Sequence, residues 1–190
     1  MEYLWSRTGD KEGVKFYLMF DLMLMTGLRV SELCNLRVKD TSRYLGAHAI
    51  RVYLGKFSKN RDIPISRRMS HNMAVYIKKY RGSTLPGSVR ASDSRKRVFY
   101  AATKKPFTRD SVGYHIERLG KEAGIVKHLT PHMCRHTFAT RALMGNKINL
   151  PELQIFLGHS KLATTQRYIH LVTLLTGDYG ERLDRGETML

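Results

Sequence analysis

Residues 129–145, LTPHMCRHTFATRALMG, decide how the chain is read. Thr130 belongs to the residue types that cap helix N-termini. Pro131 suits the first helical position, where its missing N–H leaves no bond unmade, and Gly145 is a stop signal. These three residues frame one helix, and on it His132 and Arg135 lie three apart, on the same face.

Working outward, the chain alternates helical spacing with one change of period. Upstream, residues 14–25 form an apolar run interrupted only by Lys15 and Asp21 and closed by Thr26-Gly27. Residues 29–36 start a second, short helix, with Leu28, Leu33 and Leu36 at helical spacing. The period then becomes two. Residues 49–54 (AIRVYL) and 62–65 (DIPI) read as the strands of a hairpin, joined by the basic turn GKFSKNR at 55–61, with Pro64 suited to a strand end. Residues 66–79 return to helix. Residues 81–97 read as a polar surface loop and 98–101 as a short strand. A helix opens at Thr108 and ends at Gly124, a short one is capped by Asn149 and ends at Gly158, and a last one covers 163 to about 175. The expectation is a mainly α fold with one small antiparallel β-hairpin, an α+β domain over 1–175 with a tail at 176–190.

Charge narrows the partner. The 190 residues carry 33 Lys and Arg against 16 Asp and Glu, a formal +17. Such an excess is the electrostatic footprint of a nucleic-acid binder, with a ribosomal or membrane-surface protein as alternatives. Apolar residues at 42% supply enough material for a core, so bulk disorder is excluded. Cys34 and Cys134 sit in apolar helical stretches and read as reduced core thiols. No apolar run reaches the roughly 18 residues of a membrane span, and residues 1–10 lack the pattern of a signal peptide. An intracellular protein is expected.

Five stretches carry residues suited to attack on a phosphodiester. They are Arg29 within TGLRVSEL, Lys56 and Lys59 on the hairpin turn, His132 and Arg135, His159 within LGHS, and Tyr168 nine residues later within TTQRY. Any one is weak alone. All five in this order resemble the tyrosine recombinase (phage integrase) family, over residues 14 to about 170.

That resemblance implies a site-specific DNA recombinase or integrase catalytic domain of a mobile element, acting through a 3′-phosphotyrosyl intermediate without metal, ATP or cofactor. It implies Tyr168 as nucleophile, with Arg29 and Arg135 as a bidentate clamp on the phosphate; fixed guanidinium groups match the charge that develops there. His132 would bond to the tyrosine hydroxyl and the phosphate, and His159 to a non-bridging oxygen. Lys56 would be the general acid for the 5′-oxygen. The family often reads Gly-Lys-Gly where this chain has Gly55-Lys56-Phe57, which leaves Lys59 open as the alternative. Glu32 would orient the cations.

The family also implies a separate N-terminal clamp domain, which this chain is expected to lack, and double-stranded DNA as partner. It further implies a tetrameric synapse built from subunits that are monomeric alone, possible accessory DNA-bending proteins, and a cytoplasmic, nucleoid-associated place in a prokaryotic cell. The tail at 176–190 would dock on a neighbouring subunit.

Each residue has a plainer reading. His132, Cys134 and His136 fit neither HExxH nor a CxxC pair, so no metal is expected. His136 reads as a structural neighbour of Arg135, and Tyr168 alone would be a core tyrosine. The cluster at 90–105 reads as a solvated basic face that lends affinity and salt dependence. Rival functions are a type IB topoisomerase or telomere resolvase, a silent DNA-binding regulator, and an RNA-binding module.

Overall fold

A mixed apolar and charged helix lies at the centre of the molecule. The computed structural model describes residues 11–41, 48–53, 60–81, 93–145 and 148–176. Helix α1 (Lys11–Thr26) buries Phe16, Leu18, Met19, Leu22 and Met23, which span more than one of its faces. An amphipathic surface helix buries a single stripe; this one is covered on several sides. Lys15 and Asp21, which interrupt the apolar run in sequence, are buried as well. Lys15 Nζ donates to Glu12 Oε1 at 2.5 Å and to the Tyr100 carbonyl at 3.1 Å. Asp21 pairs with Arg68 at 3.3 Å. Both polar groups enter the core with partners, as burial requires.

Helix α2 (Val30–Asn35) follows directly, and a 3-10 turn (Val38–Thr41) leads toward β1 (Ala49–Val52). Strand β2 (Arg61–Pro64) pairs antiparallel with β1 in the register Ala49↔Pro64, Ile50↔Ile63, Arg51↔Asp62 and Val52↔Arg61. Ile50, Val52 and Ile63 face the core, while Arg51 holds Asp62 bidentately at 2.8 and 2.9 Å on the other face. Helix α3 (Arg67–Val75) is capped by Ser66 and widens into a π turn (Tyr76–Tyr80). Helices α4 (Arg109–Glu122), α5 (Pro131–Met144), α6 (Leu150–Leu157) and α7 (Ala163–Thr176) complete the described chain. The architecture is mainly helical with a two-stranded antiparallel sheet, as the change of period indicated.

Several local expectations are corrected. Residues 98–101 are not a strand. Within them only Tyr100 makes an isolated bridge, to Pro106, with Arg37↔Arg97 just before it, although Val98, Phe99 and Tyr100 are buried. Strand β1 stops at Val52, leaving Tyr53 exposed. The helix expected over 66–79 is α-helical only to Val75; the π turn beyond it carries the buried Tyr76 and leads into the buried Arg81. Thr130 flanks α5 in extended backbone but makes no side-chain cap bond, whereas Thr108 and Asn149 do cap their helices.

The core has two parts. The larger joins α1, α2, the sheet, α3 and α4 and includes both cysteines, Cys34 and Cys134. They are free thiols that burial pushes up to about 11. The smaller holds Ala139, Leu153, Leu157 and Tyr168, where α5, α6 and α7 meet. The candidate site lies along the seam between them.

Candidate active site

Arg29 occupies the N-cap position of α2 in extended backbone, reached from α1 through Gly27, whose φ is +63°. A side chain at residue 27 would sit in the left-handed region and run into the Phe138 ring, so the close approach of this turn to α5 needs glycine. Glu32, one turn into α2, accepts Arg29 N at 2.8 Å and Arg29 Nη1 at 3.0 Å. The other Arg29 amino group donates to the Gly158 carbonyl at 3.0 Å. The Arg29 side chain remains 37% exposed, which leaves it open to an incoming anion.

Glu32 has a second cation. Arg61, the first residue of β2, donates Nη1 and Nη2 to the Glu32 carboxylate at 3.0 and 2.8 Å and Nε to the Phe156 carbonyl at 2.8 Å. Burial by itself would raise the Glu32 carboxyl; the hydrogen bonds and charges of Arg61 and Arg29 outweigh it and hold the group below its ordinary range. Gly158 closes α6 at φ +65°, and a Cβ there would come within 2.8 Å of Arg61 Nη1. Sequence reading singled out Glu32 but missed Arg61. The available signal was the need of a buried glutamate for a second cation, and Arg61 sits where the basic turn re-enters the sheet.

Arg135 is the buried member of the set. Nη1 donates to the Gly27 carbonyl at 2.7 Å and Nη2 to the Leu157 carbonyl at 2.6 Å, so α5 is tied to the ends of α1 and α6. Burial and the neighbouring charge of Arg29 pull its pKa down to about 10, which still leaves it charged at neutral pH. Nη2 also lies 3.0 Å from His159 Nε2. A guanidinium can only donate, so Nε2 accepts and the imidazole proton resides on Nδ1. Nδ1 in turn lies 2.9 Å from Thr165 Oγ1 and donates to it. Burial and the surrounding arginines push His159 down to about 4, in keeping with this neutral tautomer. In this arrangement His159 has no donor left for a phosphoryl oxygen, unlike the role the resemblance implied. Release of Nδ1–H from Thr165, or protonation of Nε2 once freed from Arg135, would supply one.

Tyr168 is placed differently. It is 2% exposed within the small core, and its hydroxyl lies 2.9 Å from His136 Nδ1. Arg167 stacks its guanidinium 5.4 Å from the tyrosine ring centroid. In this structure the hydroxyl's partner is therefore not the expected His132 but His136, one turn further along α5. His132 is exposed and makes no hydrogen bond among the described residues. Burial, with Arg167, His132 and Arg135 adding to it, depresses His136, so its ring is neutral near pH 7. With the proton on Nε2, His136 Nδ1 accepts the phenolic proton.

The structure thus brings Arg29, Arg135 and His159 together around the Gly158 turn and places Tyr168 on the adjoining helix. His132 and Arg135 share α5, but one is exposed and the other buried. Lys56 and Lys59 lie outside the described residues, as does the tail beyond Thr176. Among the described residues, no helix is long and apolar enough to cross a membrane.

Comparison with known proteins gives the chain its family. The model of the phage integrase family matches residues 3–173, and the chain belongs to that family. It is 35% identical to the tyrosine recombinase XerD of Staphylococcus aureus over 159 residues, 84% of this chain and 51% of the relative. It is likewise 35% identical to XerD of Oceanobacillus iheyensis over 165 residues, 87% of this chain and 53% of the relative. The chain thus spans about half the length of the curated relatives it matches. Among solved structures, XerA recombinase superposes with a TM-score of 0.73 at 29% identity, covering 99% of this chain and 62% of that one. The Tn1549 transposon integrase, solved in complex with a circular intermediate DNA, gives 0.71 at 28%, covering 88% and 58%.

Proposed function

We propose that this chain is the catalytic part of a site-specific DNA recombinase that breaks and rejoins strands through Tyr168. The observation that carries the reading is the meeting of Arg29, Arg135 and His159 at the Gly158 turn, beside the helix that bears Tyr168.

A scissile phosphate seated there would meet Arg29 from the exposed side and the Arg135 guanidinium from below. Both are fixed by protein carbonyls before substrate arrives, so little reorganisation accompanies charge development. Tyr168 Oη attacks phosphorus, forming the phosphotyrosyl bond as the bond from phosphorus to the 5′-oxygen breaks. The phenolic proton passes to an imidazole; His136 is in place for this, and His132 becomes available if α7 shifts. The departing 5′-oxygen takes a proton from Lys56, or from Lys59 in its stead. A 5′-hydroxyl from another strand reverses the sequence, with bond energy conserved in the phosphotyrosine. Double-stranded DNA is the partner in this reading, and four copies on two duplexes form the working assembly.

Incubation with nicked duplexes in EDTA, followed by a denaturing gel, tests the proposal. A covalent protein–DNA adduct is expected for the unaltered chain and none for Tyr168→Phe. An adduct that persists in Tyr168→Phe would refute the assignment of the nucleophile.

A further inference from the structure

Beyond Arg29, the surface opens into a groove of about 630 Å³ that the reading above leaves unused. Its walls carry Arg29 at one end, then Arg37, Lys39, Arg51 and Arg97, with Asp40 beneath them. Glu32, the other acid at this wall, is already engaged by Arg29 and Arg61. Asp40 is buried and accepts Arg37 N at 3.0 Å, and Arg51 is held by Asp62.

Arg37 and Arg97 form an opposed pair of like charge. They face each other in an antiparallel bridge, flanked by Val98 N to Leu36 O at 2.8 Å and Val38 N to Lys96 O at 3.0 Å. That pattern makes 37 and 97 a pair without mutual hydrogen bonds, the arrangement in which opposing side chains come closest. Like charges directly opposite each other destabilise a pair of strands. Among the described residues, no ion pair within 4 Å joins either guanidinium to an acid; the buried Asp40 carboxylate acts on Arg37 from further off. The backbone is nonetheless fixed: the buried Arg81 donates Nε and Nη2 to the Arg97 carbonyl at 2.9 and 2.6 Å. The fold therefore sets two cationic side chains opposite each other on the wall of a groove that starts at the candidate clamp. An anion bound between them would be attracted by both.

We propose that Arg37 and Arg97 form a second phosphate subsite, which grips a backbone phosphodiester of the DNA strand next to the one that enters at Arg29. The proposal rests on the strand-transfer reading for the identity of the strand. The subsite reads no base; it fixes the register of the backbone over the clamp.

The experiment measures affinity for a random-sequence duplex as a function of salt, for the unaltered chain, Arg37→Ala/Arg97→Ala and Arg95→Ala. Arg95 lies on the same segment, 84% exposed and outside the groove, so its replacement shows what one charge lost from the nearby surface does. The double variant is expected to bind roughly tenfold more weakly at low salt, with the slope of log K against log salt shallower by about 0.9, the value for one phosphate contact. Arg95→Ala should change the slope far less. Equal thermal midpoints for the three proteins establish that they fold alike. Should Arg37→Ala/Arg97→Ala fail to fold, neutral methylphosphonates placed singly along a nicked duplex give a second measurement. One position beside the nick then weakens binding by the unaltered chain as much as the double variant would have. A double variant with the slope of Arg95→Ala, or no sensitive methylphosphonate position, would overturn the subsite. Adduct formation is scored separately. Its absence in the unaltered chain would count against strand transfer, while the salt slope still decides the groove.

Discussion

The guanidinium clamp and the tyrosine shelf lie on adjoining helices yet are held by different means. Arg135 is fixed by carbonyls from the ends of two other helices, and Arg29 by Glu32 and the Gly158 carbonyl. Breaking any of these contacts disturbs the main packing. Tyr168 sits in a small core and has one side-chain hydrogen bond, to His136. In the proposed reaction the groups that receive charge are built into the fold, while the proposed nucleophile is held by one side-chain hydrogen bond. A rigid electrostatic surface with a releasable nucleophile suits a reaction in which the nucleophile travels and the charge appears in one place.

Stability measurements sharpen this contrast. The largest effect is expected for Arg135→Ala, which strands the Gly27 and Leu157 carbonyls and removes the partner of His159. Urea unfolding should show a loss of about 3 kcal/mol or more; a loss below 1 kcal/mol, by the same reckoning, would break the distinction between clamp and shelf.

Acid provides the next test. The His159 pKa lies near 4 in the folded chain against 6.5 when free, so between these values the unfolded chain binds the extra proton. Stability contributed by this group is therefore full above about pH 6.5 and falls as pH drops toward 4. Urea midpoints across that window should decline, and His159→Gln should flatten the decline.

Gly158→Ala comes third. It strains a left-handed backbone and presses on Arg61, with an expected cost of about 1–2 kcal/mol. Because Glu32 shares Arg61 with the turn, adduct formation should fall too, and an unchanged rate would show that the turn does not position Arg29.

The smallest stability effect is expected for Tyr168→Phe. The loss of one hydrogen bond should cost about 1 kcal/mol while adduct formation disappears altogether. A loss as large as that of Arg135→Ala would place the tyrosine in the rigid framework and remove the contrast.

Most of the fold was legible because its signals are local. Residue 108 and residue 149 cap helices through their own side chains, Gly158 needs its positive φ, and the alternation of Ile50, Val52 and Ile63 marks the hairpin. What the sequence hid depends on distant partners. Lys15 and Asp21 looked like breaks in an apolar run, but the Tyr100 carbonyl receives Lys15 inside and the exposed Arg68 reaches Asp21 from the surface. Val98 to Tyr100 had the composition of a strand without a neighbouring strand long enough to pair with. At the site, residue types and order pointed to the clamp, whereas the hydroxyl's partner could not be read that way. His132 and His136 are one turn apart on α5, and only the position of α7 selects His136. Arg61 was hidden for the same reason, since its carboxylate lies 29 positions away.

The two buried thiols make the molecule its own gauge of opening. At neutral pH, with pKa values near 11, Cys34 and Cys134 are almost wholly uncharged and screened from reagent, and the thiolate is the reactive form. Cys34 sits on α2 and Cys134 on α5, so alkylation at each would time the exposure of a different part of the main core. If α2 detaches before α5, the first thiol to be labelled would report it, with no probe added to the chain.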